Sequence, residues 1–379
     1  MSENTTLSTL SVGMVRSAYR LFKSPVVVAF GNPLLDIIVT VEDDHLFKKF
    51  DLKEDDELEL PEETVQQLIS ELPPELKQTV SAGGSVQNTM RILQWLCAGP
   101  TRPAIGIYCG GLGMDFRGSV LENLVRLAGV NARYAVHPEL PTGVCVSLIQ
   151  GATRSLVANI GAAGVYTMED LKREELSLDG VKLIYIEGFF VIHSLDVARE
   201  LEKLGRAKGI PIAFNLNGAY LFKEHHAAIC EMVGLARIVF GNAREMTALA
   251  QALNINYDDV TDIPFLLNNL KRVTIGVSSA ARKEWYSNDS VFVMTQGGSA
   301  PAIVVWGQGQ CTQVQPETLK VPVVDTTGAG DALVAGFLAG MLAGWTPKCC
   351  LKFGCEVAGF IVTRLGVTLP DSVPVDLKQ

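Results

Sequence analysis

An α/β fold, three layers deep, with a central, mostly parallel sheet and helices on both of its faces, is what the sequence predicts. In the later half, the β-prone runs Lys182–Ile186, Ile212–Leu216, Ile238–Phe240 and Val273–Val277 are separated by helical stretches. That rhythm belongs to parallel strands joined by crossover helices. Glycine-bearing turns recur at strand ends and helix starts, at Gly31, Gly83-Gly84, Gly110-Gly111 and Gly328–Gly330, where open α/β sheets build their binding sites. The 379 residues, 48% apolar and 19% charged, suit one large core or one core with an appendage.

A formal net charge of -9 argues against nucleic acid and against an anionic membrane surface as partners. The eight cysteines are scattered without a CxxC pair, so neither a zinc site nor a disulfide framework is expected, and a reducing cytoplasm or nucleus is the expected location. The longest apolar run, Ala332 to Trp345, falls short of the ~18 residues that a membrane helix needs and reads as a core helix. Residues 1–24 carry Arg16, Arg20 and Lys23, but Glu3 and the lack of an apolar segment fit neither a transit nor a signal peptide; a flexible extension is expected. A monomer is expected.

Val26–Phe30 is a buried strand that ends at Gly31-Asn32-Pro33-Leu34-Leu35-Asp36, and Ile37–Val41 follows as a second strand. An Asp in that turn either caps it or reaches into a cleft. Glu42 to Glu63 is acidic and reads as solvated surface, with helical spacing from Glu62 to Leu72. Ser81–Asn88 precedes a helix to Cys97 whose buried side is Met90, Leu93, Trp95 and Leu96. Ala104–Tyr108 is a strand that leads to Gly110–Gly118, whose glycine spacing does not fit a dinucleotide fingerprint. Thr142–Ile149 and Ser155–Ile160 form a hairpin with Arg154 at its turn. With Ile37–Val41 it makes a small sheet, a lid inserted from about 34–63 and 138–163, able to keep water from a reaction. Asn242-Ala243-Arg244-Glu245 reads as a helix start, and Thr295-Gln296-Gly297-Gly298 ends a strand.

Near the C-terminus, Val321–Val324 has strand character, and a helix follows from about Gly330. Gly328 and Gly330 let an anion approach the positive end of that helix. Asp331 is then either a first-turn stabilising charge or a group that meets the anion's partner.

Asp325-Thr326-Thr327-Gly328-Ala329-Gly330-Asp331 resembles the signature of the ribokinase-like carbohydrate kinases, a likeness that extends from about residue 25 to 370. The resemblance implies that fold, with its discontinuous lid, and makes Asp331 the base that takes a proton from a substrate hydroxyl. The amides of Gly328, Ala329 and Gly330 become the anion hole, with the helix end lowering the basicity of Asp331. Gly31–Asp36, Ser81–Asn88, Pro141–Cys145 and Thr153–Asn159 resemble the adenosine kinase branch of that family. By that likeness Asn32, Asp36, Gly83, Gly84, Ser85 and Asn88 hold a ribose. Cys145, Leu156, Ile160 and Phe189 line the adenine pocket, and Arg154 meets the phosphates. Asn242, Glu245, Thr295, Gln296 and Gly297 serve the nucleotide side. The implied reaction is ATP-dependent phosphorylation of the adenosine 5′-hydroxyl, with Mg²⁺ reached by Glu245 through water rather than by direct ligation, and with room for a monovalent cation. The alternatives are a kinase of the same fold acting on ribose, fructose or a pyrimidine nucleoside, and a non-catalytic nucleoside-binding protein. The chain departs from the branch at Thr327, where animal-type members carry Asn, and at Glu57 and Glu59, where Gln and Leu are usual.

Overall fold

The computed structural model describes residues 7–22, 25–53, 57–73, 76, 78–99, 102–150, 153–275, 285–286 and 289–373. Among them, the strands in chain order are β1 (Val27–Phe30), β2 (Leu34–Thr40), β3 (Glu57–Glu59), β4 (Gln78–Gly83), β5 (Gly106–Gly113), β6 (Asn131–His137) and β7 (Val144–Gln150). There follow β8 (Thr153–Asn159), β9 (Leu183–Glu187), β10 (Ile212–Asn215), β11 (Ile238–Asn242), β12 (Val291–Thr295), β13 (Ala302–Trp306) and β14 (Gln310–Val314).

Nine of these make one sheet in the order β14-β13-β12-β11-β10-β9-β1-β5-β6. From β12 to β6 every pairing is parallel, and β13 and β14 add an antiparallel edge. Alternate residues of one strand serve opposite layers, as the pleat requires. In β1, Val27 and Ala29 join a core with the helices Ser85–Cys97, Ala329–Leu342 and Pro347–Ile361, while Val28 and Phe30 join a second core with Gly188–Lys208 and Phe222–Leu235. Burial on both faces explains why the parallel strands read as unbroken apolar runs.

The remaining five strands form a second sheet, β3-β8-β7-β2-β4, from four separate stretches of chain. β2 pairs parallel with β7 and antiparallel with β4. β4 lies between the two segments expected for the lid, and its exposed Gln78 and Val80 hide it from an apolar-run reading.

Several expectations need correction. Val273–Val277 is not a strand: the helix Ile263–Ile275 runs through its first part, with Ile263, Pro264, Leu267 and Asn268 buried at helical spacing, and the rest lies outside the described residues. Val321–Val324 forms no strand, because Pro322 has no N–H to give and Val323 and Val324 are half exposed. β2 begins three residues before Ile37, so Asp36 sits within a strand rather than in the turn before it. The N-terminal segment holds a helix, Thr9–Tyr19, with Val12 and Val15 buried. Arg16 Nε and Nη2 donate to the carbonyls of Leu96 and Trp95, at 3.0 and 3.1 Å, closing the C-terminal end of the Ser85–Cys97 helix. Residues 1–6 and 23–24 of that segment lie outside the described residues.

Candidate active site

The C-terminal ends of β1, β9, β10, β11 and β12 open into a cleft of about 770 Å³, covered on its other side by one face of the small sheet. Strand parity aims Leu34, Asp36 and Ile38 of β2, Cys145 and Ser147 of β7, and Arg154, Leu156 and Ala158 of β8 into it. Of the residues singled out from sequence, Asn32, Asp36, Gly84, Ser85, Asn88, Cys145, Arg154, Leu156, Ile160, Phe189, Asn242, Glu245, Thr295, Gly328, Gly330 and Asp331 share its wall.

Asp331 stands in the first turn of the Ala329–Leu342 helix, a helix buried nearly from end to end. Ser85 Oγ donates to its Oδ1 at 2.6 Å and Asn88 Nδ2 to its Oδ2 at 3.2 Å. Ser85 Oγ in turn accepts from Asn217 Nδ2 at 2.8 Å, and Asn217 Oδ1 accepts the Gly188 amide at 3.1 Å. Burial raises the Asp331 carboxyl to about 6, opposed by the Ser85 and Asn88 donors and by Arg154. Asp331 is thus more basic than an ordinary Asp, where a lowered basicity was expected. The helix begins at Gly328, in the left-handed region at φ 76°, and a Cβ there would collide with Val367. The Ala329 amide, expected in the anion hole, is instead bonded to Thr326 O at 3.2 Å. Gly330 and Asp331 supply first-turn amides that helix geometry leaves without intrahelical partners.

Across the cleft, the Asp36 carboxyl is pushed up to about 7 by burial, opposed by Arg91, with Asp331 adding to the rise. β4 runs directly over it: a Cβ on Gly83 would collide with the Asp36 carboxylate. Gly83 is thus behind the wall rather than on it. Arg154 reaches from the small sheet to Thr327 Oγ1 at 2.5 Å and lies 3.6 Å from Asp325 Oδ1. Asp325 is a hub. It accepts the Thr327 amide and hydroxyl at 2.8 and 2.7 Å and the Gly366 amide at 2.8 Å, so it holds the turn before the helix.

Asn242 and Glu245 form a reciprocal cap. Glu245 N donates to Asn242 Oδ1 at 2.9 Å, and Glu245 Oε2 and Oε1 accept Asn242 N and Nδ2 at 2.8 and 2.7 Å. The simple helix-start reading of that motif is therefore present in the geometry, beside its place on the cleft wall. Gln296 and Gly297 lie off the wall, and Gln296 Nε2 is committed to Pro301 O at 2.8 Å.

The sequence argument missed three residues and the bracing task of a fourth. Glu187, fully buried at the end of β9, accepts Asn32 N at 2.6 Å and Val86 N at 3.1 Å and so clamps the turn after β1 to the start of the Ser85–Cys97 helix. Burial raises it to about 8 against those two amides. An acidic residue closing a buried strand was a usable signal. Asn217, at φ 65° before a glycine, was a turn signal. Arg91 gave none, since its bond to Val367 spans 276 residues; Asp325 was visible as the first residue of its motif, but its bond to the Gly366 amide, 41 residues away, was not.

The sequence pattern that defines the pfkB family carbohydrate kinases matches residues 62–374. Adenosine kinase 2 of Arabidopsis thaliana is 28% identical over 348 residues, 91% of this chain and 96% of that protein. The adenosine kinase of Saccharomyces cerevisiae is 28% identical over 90% of this chain and 96% of its own length. The crystal structure of Anopheles gambiae adenosine kinase in complex with P1,P4-di(adenosine-5) tetraphosphate superposes with a TM-score of 0.78 at 30% identity, covering 91% of this chain and 97% of that one. The Schistosoma mansoni adenosine kinase in complex with 2-fluoroadenosine gives 0.80 at 25% identity, over 92% and 98%. The fold is thus the ribokinase-like one, and with a family match over most of its length the chain belongs to the pfkB family carbohydrate kinases.

Proposed function

We propose that the chain is an ATP-dependent phosphotransferase that phosphorylates the 5′-hydroxyl of adenosine, giving AMP and ADP. One observation carries the reading: two carboxylates, the half-buried Asp36 on the small sheet and the buried Asp331 at a glycine-led helix start, face a single cleft. Relatives named adenosine kinases that match over nine-tenths of the chain support the choice of acceptor.

In this reading Asp36 accepts hydrogen bonds from two adjacent ribose hydroxyls. Gly83 lets β4 press against it, and Asn32 and Asn88 add amide contacts. The apolar wall of Leu156, Ile160 and Phe189, with Cys145, takes the flat base. The 5′-oxygen then faces Asp331. Its proton passes to an Asp331 oxygen as the oxygen bonds to the γ-phosphorus, while the bond from that phosphorus to the bridging oxygen breaks and ADP leaves. Amides of Gly330 and Asp331 and the Arg154 guanidinium meet the charge on the transferring group. Mg²⁺ would arrive with the nucleotide and supply positive charge to offset that of its phosphates. Both Glu245 oxygens already accept hydrogen bonds from Asn242, so contact with the ion through water would suit that residue. All eight cysteines are free, which suits a reducing compartment such as the cytoplasm.

The test is an acceptor panel of adenosine, ribose, fructose, uridine and cytidine with ATP and Mg²⁺, followed by product identification. AMP from adenosine at a rate well above every other acceptor supports the reading. Adenosine binding without ADP release would make the protein a nucleoside-binding module instead.

A further inference from the structure

Arg91 lies inside the protein, 9% exposed, three residues after Asn88 on the same face of the Ser85–Cys97 helix. Its Nη1 donates to Asn88 Oδ1 at 3.1 Å and to Ala82 O at 2.7 Å, and its Nη2 donates to Val367 O at 3.1 Å. Nε is buried with no hydrogen-bond partner among the described residues. These acceptors are neutral oxygens, and the charge of Asp36 offsets only part of the cost of burial, which lowers the guanidinium to about 10, an expensive setting for an arginine with no task. Of these acceptors Asn88 is on the cleft wall, and the other two stand behind different parts of it. Ala82 precedes Gly83, the residue laid against Asp36; Asn88 donates to Asp331; and Val367 is what a side chain at Gly328 would strike.

We propose that Arg91 is a positioning residue that fixes the orientation of the Asn88 amide, so that its NH₂ faces Asp331, while tying β4 and the turn at Gly328 to the same helix. The logic is one of donors and acceptors. A guanidinium only donates, so the Asn88 atom turned toward it must be the oxygen, and the nitrogen is left for the carboxylate. The two ends of an amide are nearly equal in size, and only the network decides between them. A flipped Asn88 would set its oxygen against Asp331 Oδ2, replacing a donor with a repelling lone pair. The proposal rests on the reading of Asp331 as the base.

The consequence is a change in the titration of Asp331 that a purely structural arginine would not produce. The ionisable groups facing Asp331 or its near neighbours from the surrounding elements are Asp36, Arg154, Tyr185, Glu187, Asp325 and Arg91 itself. With Arg91→Met, the acid limb of the kcat profile at saturating adenosine, where the ribose already engages Asp36, should move up by about half a pH unit or more, and kcat should fall by about tenfold or more. Arg91→Lys, which keeps a charge and can still donate to Asn88, should recover most of both. In an Asn88→Ala background, Arg91→Met should move the acid limb no further. An unshifted acid limb in Arg91→Met, or additive shifts in the double mutant, would overturn the proposal. If Arg91→Met does not fold, Arg91→Gln carries the same comparison, and an unshifted limb there overturns it equally. A wild-type enzyme that transfers no phosphoryl group to any nucleoside would overturn the functional reading instead, so the two failures are distinct.

Discussion

Asp331 combines low exposure with two donors on its carboxylate, so its charge is costly to bury yet matched in geometry. Asp331→Asn should lower kcat by roughly three orders of magnitude or more while adenosine affinity changes by less than about threefold, as read by stopped-time assays and equilibrium binding. Near-normal turnover would remove Asp331 from the mechanism. In the wild type, kcat/KM should rise with pH through about 6 to 7 as Asp331 and Asp36 ionise. Stability should move the other way. Asp36, Asp331 and Glu187 have folded values of about 7, 6 and 8, above the ordinary 3.8 and 4.5. The folded chain therefore holds these protons more tightly, and that stabilisation is complete below the ordinary values and lost as pH rises through about 6 to 8. Thermal unfolding followed from pH 5.5 to 8.5 should show a melting temperature that falls by a few degrees, and a flat profile would contradict these shifts. Glu187→Gln leaves only one carbonyl oxygen for two amide donors; it should cost about 1–3 kcal/mol in urea unfolding and raise the KM for adenosine.

Between the small sheet and the body, Arg154 makes the hydrogen bond to Thr327 that pins β8 over the anion-binding turn. Arg154→Met should lower kcat about tenfold or more and raise the fraction of ADP released without AMP, because water then reaches the transferring group more readily. Coupled assays of both products measure that ratio, and an unchanged ratio would leave Arg154 with a purely electrostatic part. At the opposite end of the Ser85–Cys97 helix, deleting residues 1–20 removes the Arg16 contacts and uncovers the surface under Val12 and Val15. The deletion should destabilise the protein by about 2–4 kcal/mol in denaturant unfolding. What sequence reveals about these elements follows from locality. Asp325–Asp331 was legible because an amide cup and its carboxylate must come from contiguous backbone. The cap at Asn242–Glu245 was legible because both partners lie within one turn. The clamp at Glu187 was not, since it acts on Asn32 and Val86, 155 and 101 residues away. Nor was the task of Arg91, whose contact with Val367 spans 276 residues. The Val273–Val277 error has the same root: β-branched residues favour a strand in isolation, and tertiary burial of Ile263 and Leu267 selects a helix.

Taken whole, the molecule sets a fixed floor beneath a cover built from distant parts. The Ala329–Leu342 helix is enclosed by the helices Ser85–Cys97 and Pro347–Ile361 and by the large sheet, so Asp331 is held at a packed helix start, opposite the small sheet that covers the cleft. That sheet also imposes an order on synthesis. β2, β3 and β4 emerge from the ribosome well before Val144–Asn159, yet β2 is the neighbour of β7 and β3 the neighbour of β8. Until that hairpin arrives, the nascent chain displays an incomplete sheet whose unpaired edges invite association with other chains. Chaperone demand and co-translational aggregation should therefore peak while the middle third of the message is being translated.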